Sequence, residues 1–295
     1  MGTRFRIVLF GTDELAARQA ATQAFERAEQ LEQIFSDYRE DSEVSEAERI
    51  AVRRPRVVSP LLFDLLERCL HFSRLTGGAF DITVGPVVRL WRRCRVTSRL
   101  PTTVELDRAL ASVGYEKVLL NPRTHSLRLT ASGMHLDLGG IAKGYAADEI
   151  FRILSSSGFS RCLVDAGGDL RLGAAPPGRR GWEVRLDDEL GGGEKFELEQ
   201  CAIASSGDRF QFAEIDGVRY SHIVDPRTGL GVRYRGEVSV IAPDALTADA
   251  LATALSVMEV SDGNRLIEGL DGVESRISRE ANGRVDVVRS TGFPP

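Results

Sequence analysis

The residues best suited to chemistry fall in a few short runs. One is DLGGIAKGYAAD, Asp137 to Asp148. It reads as a strand entering a glycine turn that feeds a helix. Such a turn exposes backbone N–H groups and the positive end of a helix dipole, which suits phosphate. Lys143 adds a mobile cation on the first helical turn. The order matches neither G-x-x-x-x-G-K-[ST] nor G-x-G-x-x-G, and a tight packing turn with a surface lysine reads the same way. A second run is TADALATAL, Thr247 to Leu255. Thr247 is the expected N-cap. Asp249 and Thr253 are four apart, so both oxygens project from one helix face. The remaining residues are Ala and Leu, which predicts burial, and a buried carboxylate and hydroxyl need partners. A hard cation such as Mg²⁺ is one partner; the dipole of the first helical turn is another. A third run, RYSHIVDPRTG, ends in a turn signature with Pro226 and Gly229. His222 precedes that turn in a strand expected to place Tyr220, His222 and Val224 on one face. Of the four histidines it is the best general-base candidate. GGAFDITVGPVVRLW, with Asp81 between Phe80 and Ile82 and a turn closed by Gly85-Pro86, suggests a backbone-lined slot, and VDAGGDLRLG a strand and glycine turn.

The elements that must hold these runs are partly legible. FRIVLF, residues 5 to 10, reads as a strand. A long helix runs from Asp13, its cap, to Tyr38, with Ala and Leu at helical spacing. SDYREDSEVSEAER is a loop or short helix. Ser59-Pro60 opens a helix that Gly77-Gly78 stop. Thr103 to Val113 reads as a helix, VLL at 118 to 120 as a strand. WEVRLDD, EKFELEQCAIASSGDRFQF, GEVSVIA and the tail alternate as antiparallel strands do. Helices and strands mix without a βαβ rhythm, which predicts an α+β fold, a single catalytic domain over 1–295 with mixed, mainly antiparallel sheets.

Composition narrows the function classes. The chain has 295 residues and a net charge of −5. That acidity argues against a general nucleic-acid binder. No run of 18 apolar residues marks a transmembrane segment, and no signal peptide is legible, so the chain as given reads as cytoplasmic. The four cysteines are widely spaced and read as buried free thiols. Glycine is high, 29 residues.

Together the runs resemble the ApbE family of flavin transferases. The matching stretches are MGTRF at 1 to 5, SDYREDSEVS at 36 to 45, GGAFDITVGPVVRLW, DLGGIAKGYAAD, DAGGDLRLGA, ASSGD at 204 to 208, YSHIVDPRTG and TADALATAL. The resemblance implies the family's α+β fold. It implies FAD as substrate, Mg²⁺ as cofactor, and transfer of FMN to a Thr or Ser hydroxyl of a target flavoprotein, with AMP released. By the same resemblance the metal site falls on the Gly140 carbonyl, Asp249 and Thr253, and the FAD contacts on Met1, Tyr38, Ala79, Phe80, Asp81, Asp137, Lys143 and Ile223. His222 matches the proposed base. Tyr38 and Phe80 are expected to cover or stack on the rings. Exported members carry a leader before Met-Gly-Thr, which would move the protein to the periplasm or a membrane anchor. Two other readings share these residues: an FAD pyrophosphatase giving FMN and AMP, and a non-catalytic flavin-binding protein.

Overall fold

The computed structural model describes residues 2–188, 192–207, 212–281 and 283–294. The first half is mostly helical: β1 (Phe5–Leu9), α1 (Glu14–Phe35), α2 (Glu43–Ala51), β2 (Arg56–Val57), α3 (Pro60–Leu75), a 3₁₀ turn (Ile82–Val84), α4 (Gly85–Thr97) and α5 (Thr103–Leu110). Then come β3 (Val118–Asn121), β4 (Ser126–Leu129), α6 (Ala142–Ser156), β5 (Cys162–Ala166), β6 (Asp169–Leu172), β7 (Trp182–Asp188) and β8 (Gly192–Leu198). The chain continues through β9 (Ala202–Gly207), β10 (Phe212–Ile215), β11 (Val218–Ser221), β12 (Arg235–Ala242), α7 (Ala245–Leu255), α8 (Val260–Glu268), β13 (Glu274–Ala281) and β14 (Arg284–Arg289).

The fold is α+β, as the absence of a βαβ rhythm predicts. Seven strands form one antiparallel sheet in the order β1-β5-β6-β9-β12-β13-β14. The period of two in its strands decides what each face covers. Val164, Ala204, Val238 and Val240 face the helices and join the main core. Leu163, Ile203 and Ile241 face the other way, against Trp182, Val184 and Phe196 of the β7–β8 hairpin.

Helices α6 and α7 lie on the helical face, and α1 packs on α6. ALTADALATAL is apolar almost all round, as a helix sealed in a core must be; among its residues Asp249 is buried with the alanines. Small residues let α6 and α7 come very close. A Cβ on Gly144 would run into the carbonyl oxygen of Ala245.

Several expectations need correction. Thr247 is not the N-cap of α7. Asp244 is, accepting from the Thr247 N–H at 2.8 Å. Asp249 therefore sits beyond the first turn, so the dipole reading of it fails. HLDL forms no strand: Leu136 N donates to Glu48 Oε1 at 2.6 Å and Asp137 N to the Ile82 carbonyl at 2.7 Å, so its backbone bonds leave no ladder. β11 ends at Ser221, so His222 lies past the strand; Tyr220 and Val224 are buried and His222 is exposed. Gly85-Pro86 opens α4 rather than closing a turn, with Pro at a first-turn position that needs no N–H donor. The long helix stops at Phe35, short of Tyr38.

Gly144→Ala is expected to lower the unfolding free energy by about 1–3 kcal/mol, the cost of overpacking. Urea denaturation measures this; an unchanged midpoint would contradict the close α6–α7 approach.

Candidate active site

Three charged side chains meet where α6, α7 and β6 converge. Lys143 projects from the first turn of α6. Its Nζ donates to Asp249 Oδ1 at 2.9 Å and lies 2.7 Å from Asp169 Oδ2, the latter off the angle a hydrogen bond needs. Asp249 Oδ2 accepts from the Gly144 N–H at 3.1 Å. Both carboxylates are almost sealed, Asp249 at 4% exposure and Asp169 at 3%. Burial drives the Asp169 carboxyl up to about 7, Asp249 pushes it the same way, and Lys143 pulls it back. Burial also disfavours the Lys143 ammonium, but Asp249 and Asp169 together outweigh that and hold it above its ordinary value. Asp169 reaches this point because Gly167 and Gly168 turn the chain with φ of 70° and 104°, a region open to glycine at little cost.

The glycine turn before α6 faces the same spot. A Cβ on Gly140 would stand 2.7 Å from Thr253 Oγ1, so only a glycine lets this backbone touch that hydroxyl. A backbone carbonyl, a hydroxyl and a carboxylate form a hard oxygen donor set, which fits Mg²⁺. Among the described residues no group of three or more His, Cys, Asp or Glu side chains could hold an ion. A metal here would draw on two side chains, the backbone and the substrate's own oxygens.

Gly140, Lys143, Asp249 and Thr253 line a cavity of about 740 Å³. That is within the range of about 300–1,000 Å³ usual for ligand sites. The same lining carries two carboxylates and two guanidiniums, Asp37, Asp137, Arg92 and Arg95. Arg92 Nη2 lies 3.6 Å from Asp37 Oδ2 and 3.7 Å from Asp137 Oδ2, and donates to the Tyr38 hydroxyl at 2.8 Å. Its guanidinium carbon stands 4.5 Å over the Tyr38 ring. Asp137 Oδ1 accepts from the Gly139 N–H at 2.9 Å, which shapes the glycine turn. Trp91, Phe212 and Tyr220 add aromatic rings to the lining, and the exposed His222 borders it with Ile223.

Tyr38, Ala79, Phe80, Asp81, Asp137, Gly140, Lys143, His222, Ile223, Asp249 and Thr253 thus all border one cavity. Met1 lies outside the described residues, as does Asp208 of the ASSGD run. Two members act differently from expectation. Phe80 borders the cavity yet is buried, packing edge-on against Phe72 with ring centroids 6.3 Å apart. Asp81 spends both oxygens on the wall: Oδ1 accepts from Thr83 N and Oγ1 at 2.8 and 2.7 Å, and Oδ2 from Tyr115 N at 2.9 Å. Tyr38, at 69% exposure, keeps a ring face for stacking. Asp169, Arg92 and Asp37 were not legible as site residues. For Asp169 a signal existed, an Asp directly after a Gly-Gly turn; for Arg92 and Asp37 none did, since only the tertiary fold joins them.

The ApbE family model matches residues 1–277. The chain belongs to the ApbE family. It is 34% identical to an FAD:protein FMN transferase of Treponema pallidum, over 98% of this chain and 87% of that protein. It is 33% identical to one of Vibrio cholerae, over 91% and 82%. The solved flavin transferase ApbE from Vibrio cholerae superposes with a TM-score of 0.89 at 30% identity, covering 99% of this chain and 95% of that one. The ApbE protein of Thermotoga maritima gives 0.88 at 33% identity, covering 99% and 95%.

Asp148 seats the helix that carries Asp249. It accepts from Ala245 N and Leu246 N, each at 2.9 Å, and pairs with Arg171 Nε at 3.1 Å. Burial raises its carboxyl from an ordinary 3.8 to about 6, against those two backbone donors. The folded state therefore binds this proton more tightly than the unfolded chain. The stability it contributes is complete below about pH 4 and lost as pH rises through about 6. Urea denaturation across this range should show the wild type losing stability relative to Asp148→Asn between about pH 4 and 6, then holding level. A pH-independent difference would contradict this.

Proposed function

We propose that this chain is an FAD:protein FMN transferase whose Mg²⁺-dependent reaction moves the FMN half of FAD onto a Thr or Ser hydroxyl of a target flavoprotein and releases AMP. The 1–295 chain acts as one catalytic unit, because the residues involved come from both halves of it. The observation that carries this reading is the convergence of Lys143, Asp249, Thr253 and the Gly140 backbone on one cavity, with Asp169 ion-paired to Lys143.

The charges explain why a cation is needed. Two carboxylates and one ammonium leave up to one negative charge, a poor host for a pyrophosphate. Gly140, Asp249 and Thr253 would hold Mg²⁺, and its bound charge would reverse that sign and neutralise the phosphate oxygens. Lys143 and the N–H groups of the glycine turn supply further donors. Asp169 keeps Lys143 aimed at Asp249. His222 takes the proton of the acceptor hydroxyl as its oxygen bonds to the FMN phosphorus and the pyrophosphate bond breaks toward AMP. Tyr38 offers a face to a ring.

One feature favours a second activity at the same site. His222 is exposed and borders the cavity. Water can therefore replace the protein hydroxyl, giving FMN and AMP. Incubation with FAD and Mg²⁺, with and without a target peptide, separates the two outcomes.

Asp249→Asn, which keeps the shape of the side chain, is expected to lower Mg²⁺-dependent FAD turnover at least about a hundredfold. Undiminished turnover would remove Asp249 from the metal site. His222→Ala should lose transfer by about 10²–10⁴-fold, the range for a general base, while FAD binding persists. Loss of binding instead would make His222 a structural residue.

A further inference from the structure

Tyr38 borders the cavity with 69% of its surface exposed. A side chain so open has several rotamers within reach, and fixing one of them when a ligand stacks costs binding free energy. Arg92 removes that freedom in advance. Its Nη2 donates to the Tyr38 hydroxyl at 2.8 Å, and its guanidinium carbon stands 4.5 Å over the ring. One contact fixes the tip of the side chain, the other fixes one ring face. The arginine is itself held from two sides. Nη2 lies 3.6 Å from Asp37 Oδ2 and 3.7 Å from Asp137 Oδ2, on side chains only 6% and 14% exposed. Asp137 is pinned in turn by the Gly139 N–H. Helix α4, the segment after α1 and the glycine turn before α6 thus meet on one guanidinium.

We propose that Arg92 is a positioning residue: it holds the Tyr38 ring in the orientation that receives a ring of FAD, and does not touch FAD itself. This rests on the reading of FAD as substrate. Arg92 covers one face of Tyr38, and the exposure of that residue leaves the other open to a ligand. Charge argues against a direct contact with phosphate. A guanidinium flanked by two carboxylates is already compensated, and is a poorer host for an anion than Lys143 with a bound cation. The nitrogen that reaches Tyr38 is also the one that faces both carboxylates. Asp37 and Asp137 act through Arg92 in this arrangement. Asp37 Oδ2 makes no hydrogen bond, and the ion pair offsets part of the burial that pushes its carboxyl up.

A double-mutant cycle on FAD affinity tests this. Affinity is read on the full chain in saturating Mg²⁺, by flavin fluorescence faster than turnover. Tyr38→Ala should weaken FAD binding by about tenfold, as loss of a stacking face does. Arg92→Met should weaken it by about three- to tenfold, the cost of ordering a freed side chain. The double variant should bind within about twofold of Tyr38→Ala alone, because Arg92 then has no ring to hold. Arg92→Met also leaves two buried carboxylates without their cation, so Tyr38→Phe serves as a second variant. It removes only the exposed hydroxyl that accepts from Arg92, and should weaken FAD binding by about threefold. Losses that multiply in the double variant would mean that Arg92 touches FAD or supports the site by another route, and would overturn the proposal. Wild-type affinity in Tyr38→Ala or Tyr38→Phe would overturn it as well. Failure of the broader reading looks different. A wild type that binds no FAD overturns the choice of substrate and this proposal with it, whereas FAD bound with no FMN reaching a protein overturns the transferase reading alone.

Discussion

The Lys143 ammonium between Asp169 and Asp249 is the contact on which the rest of the site depends. Buried ion pairs are weak contributors to stability, because desolvation offsets most of their attraction. Their presence here makes sense as positioning. Each partner comes from a different element: Lys143 from the first turn of α6, Asp249 from α7, Asp169 from the start of β6. The contact forms only if helix, helix and sheet agree to within a few tenths of an ångström. The alanines of α7 and Gly144 of α6 allow that approach, and Asp148 fixes where α7 begins.

Around that anchor the cavity lining carries an ammonium, backbone donors and hard oxygen donors. It also carries two carboxylates, two guanidiniums and a tyrosine ring. A dinucleotide offers an anionic centre and uncharged rings to such a lining. The net charge of −5 says little about such a site, since the sign at a few ångströms is set by the groups lining it. The excess of glycine has a local meaning as well. Gly140 brings backbone against Thr253, and Gly167 with Gly168 turns Asp169 inward.

Much of this was legible in the sequence where local rules suffice. Asp13 and Ser59-Pro60 start α1 and α3 as capping chemistry requires. The α+β class followed from the missing βαβ rhythm. Errors arose where two local rules competed. Asp244 and Thr247 are both good caps three residues apart, and Asp148, by accepting from Ala245 N and Leu246 N, favours the earlier start. Gly85-Pro86 obeys both turn and helix-start rules. HLDL has a strand's residues but finds its partners in a side chain and a single carbonyl. Asp169 and Asp249 are eighty residues apart, and Asp37 and Arg92 more than fifty. No periodicity links such pairs; the sheet order does.

The account's central claim is that this cavity wall accepts a pyrophosphate only with a divalent cation in place. The direct measurement is FAD affinity in chelator against FAD affinity in saturating Mg²⁺, read by flavin fluorescence faster than turnover. The account predicts weak binding in chelator and a rise of at least about tenfold with Mg²⁺, since the ion changes the local charge by two. Equal affinity in both conditions would contradict it.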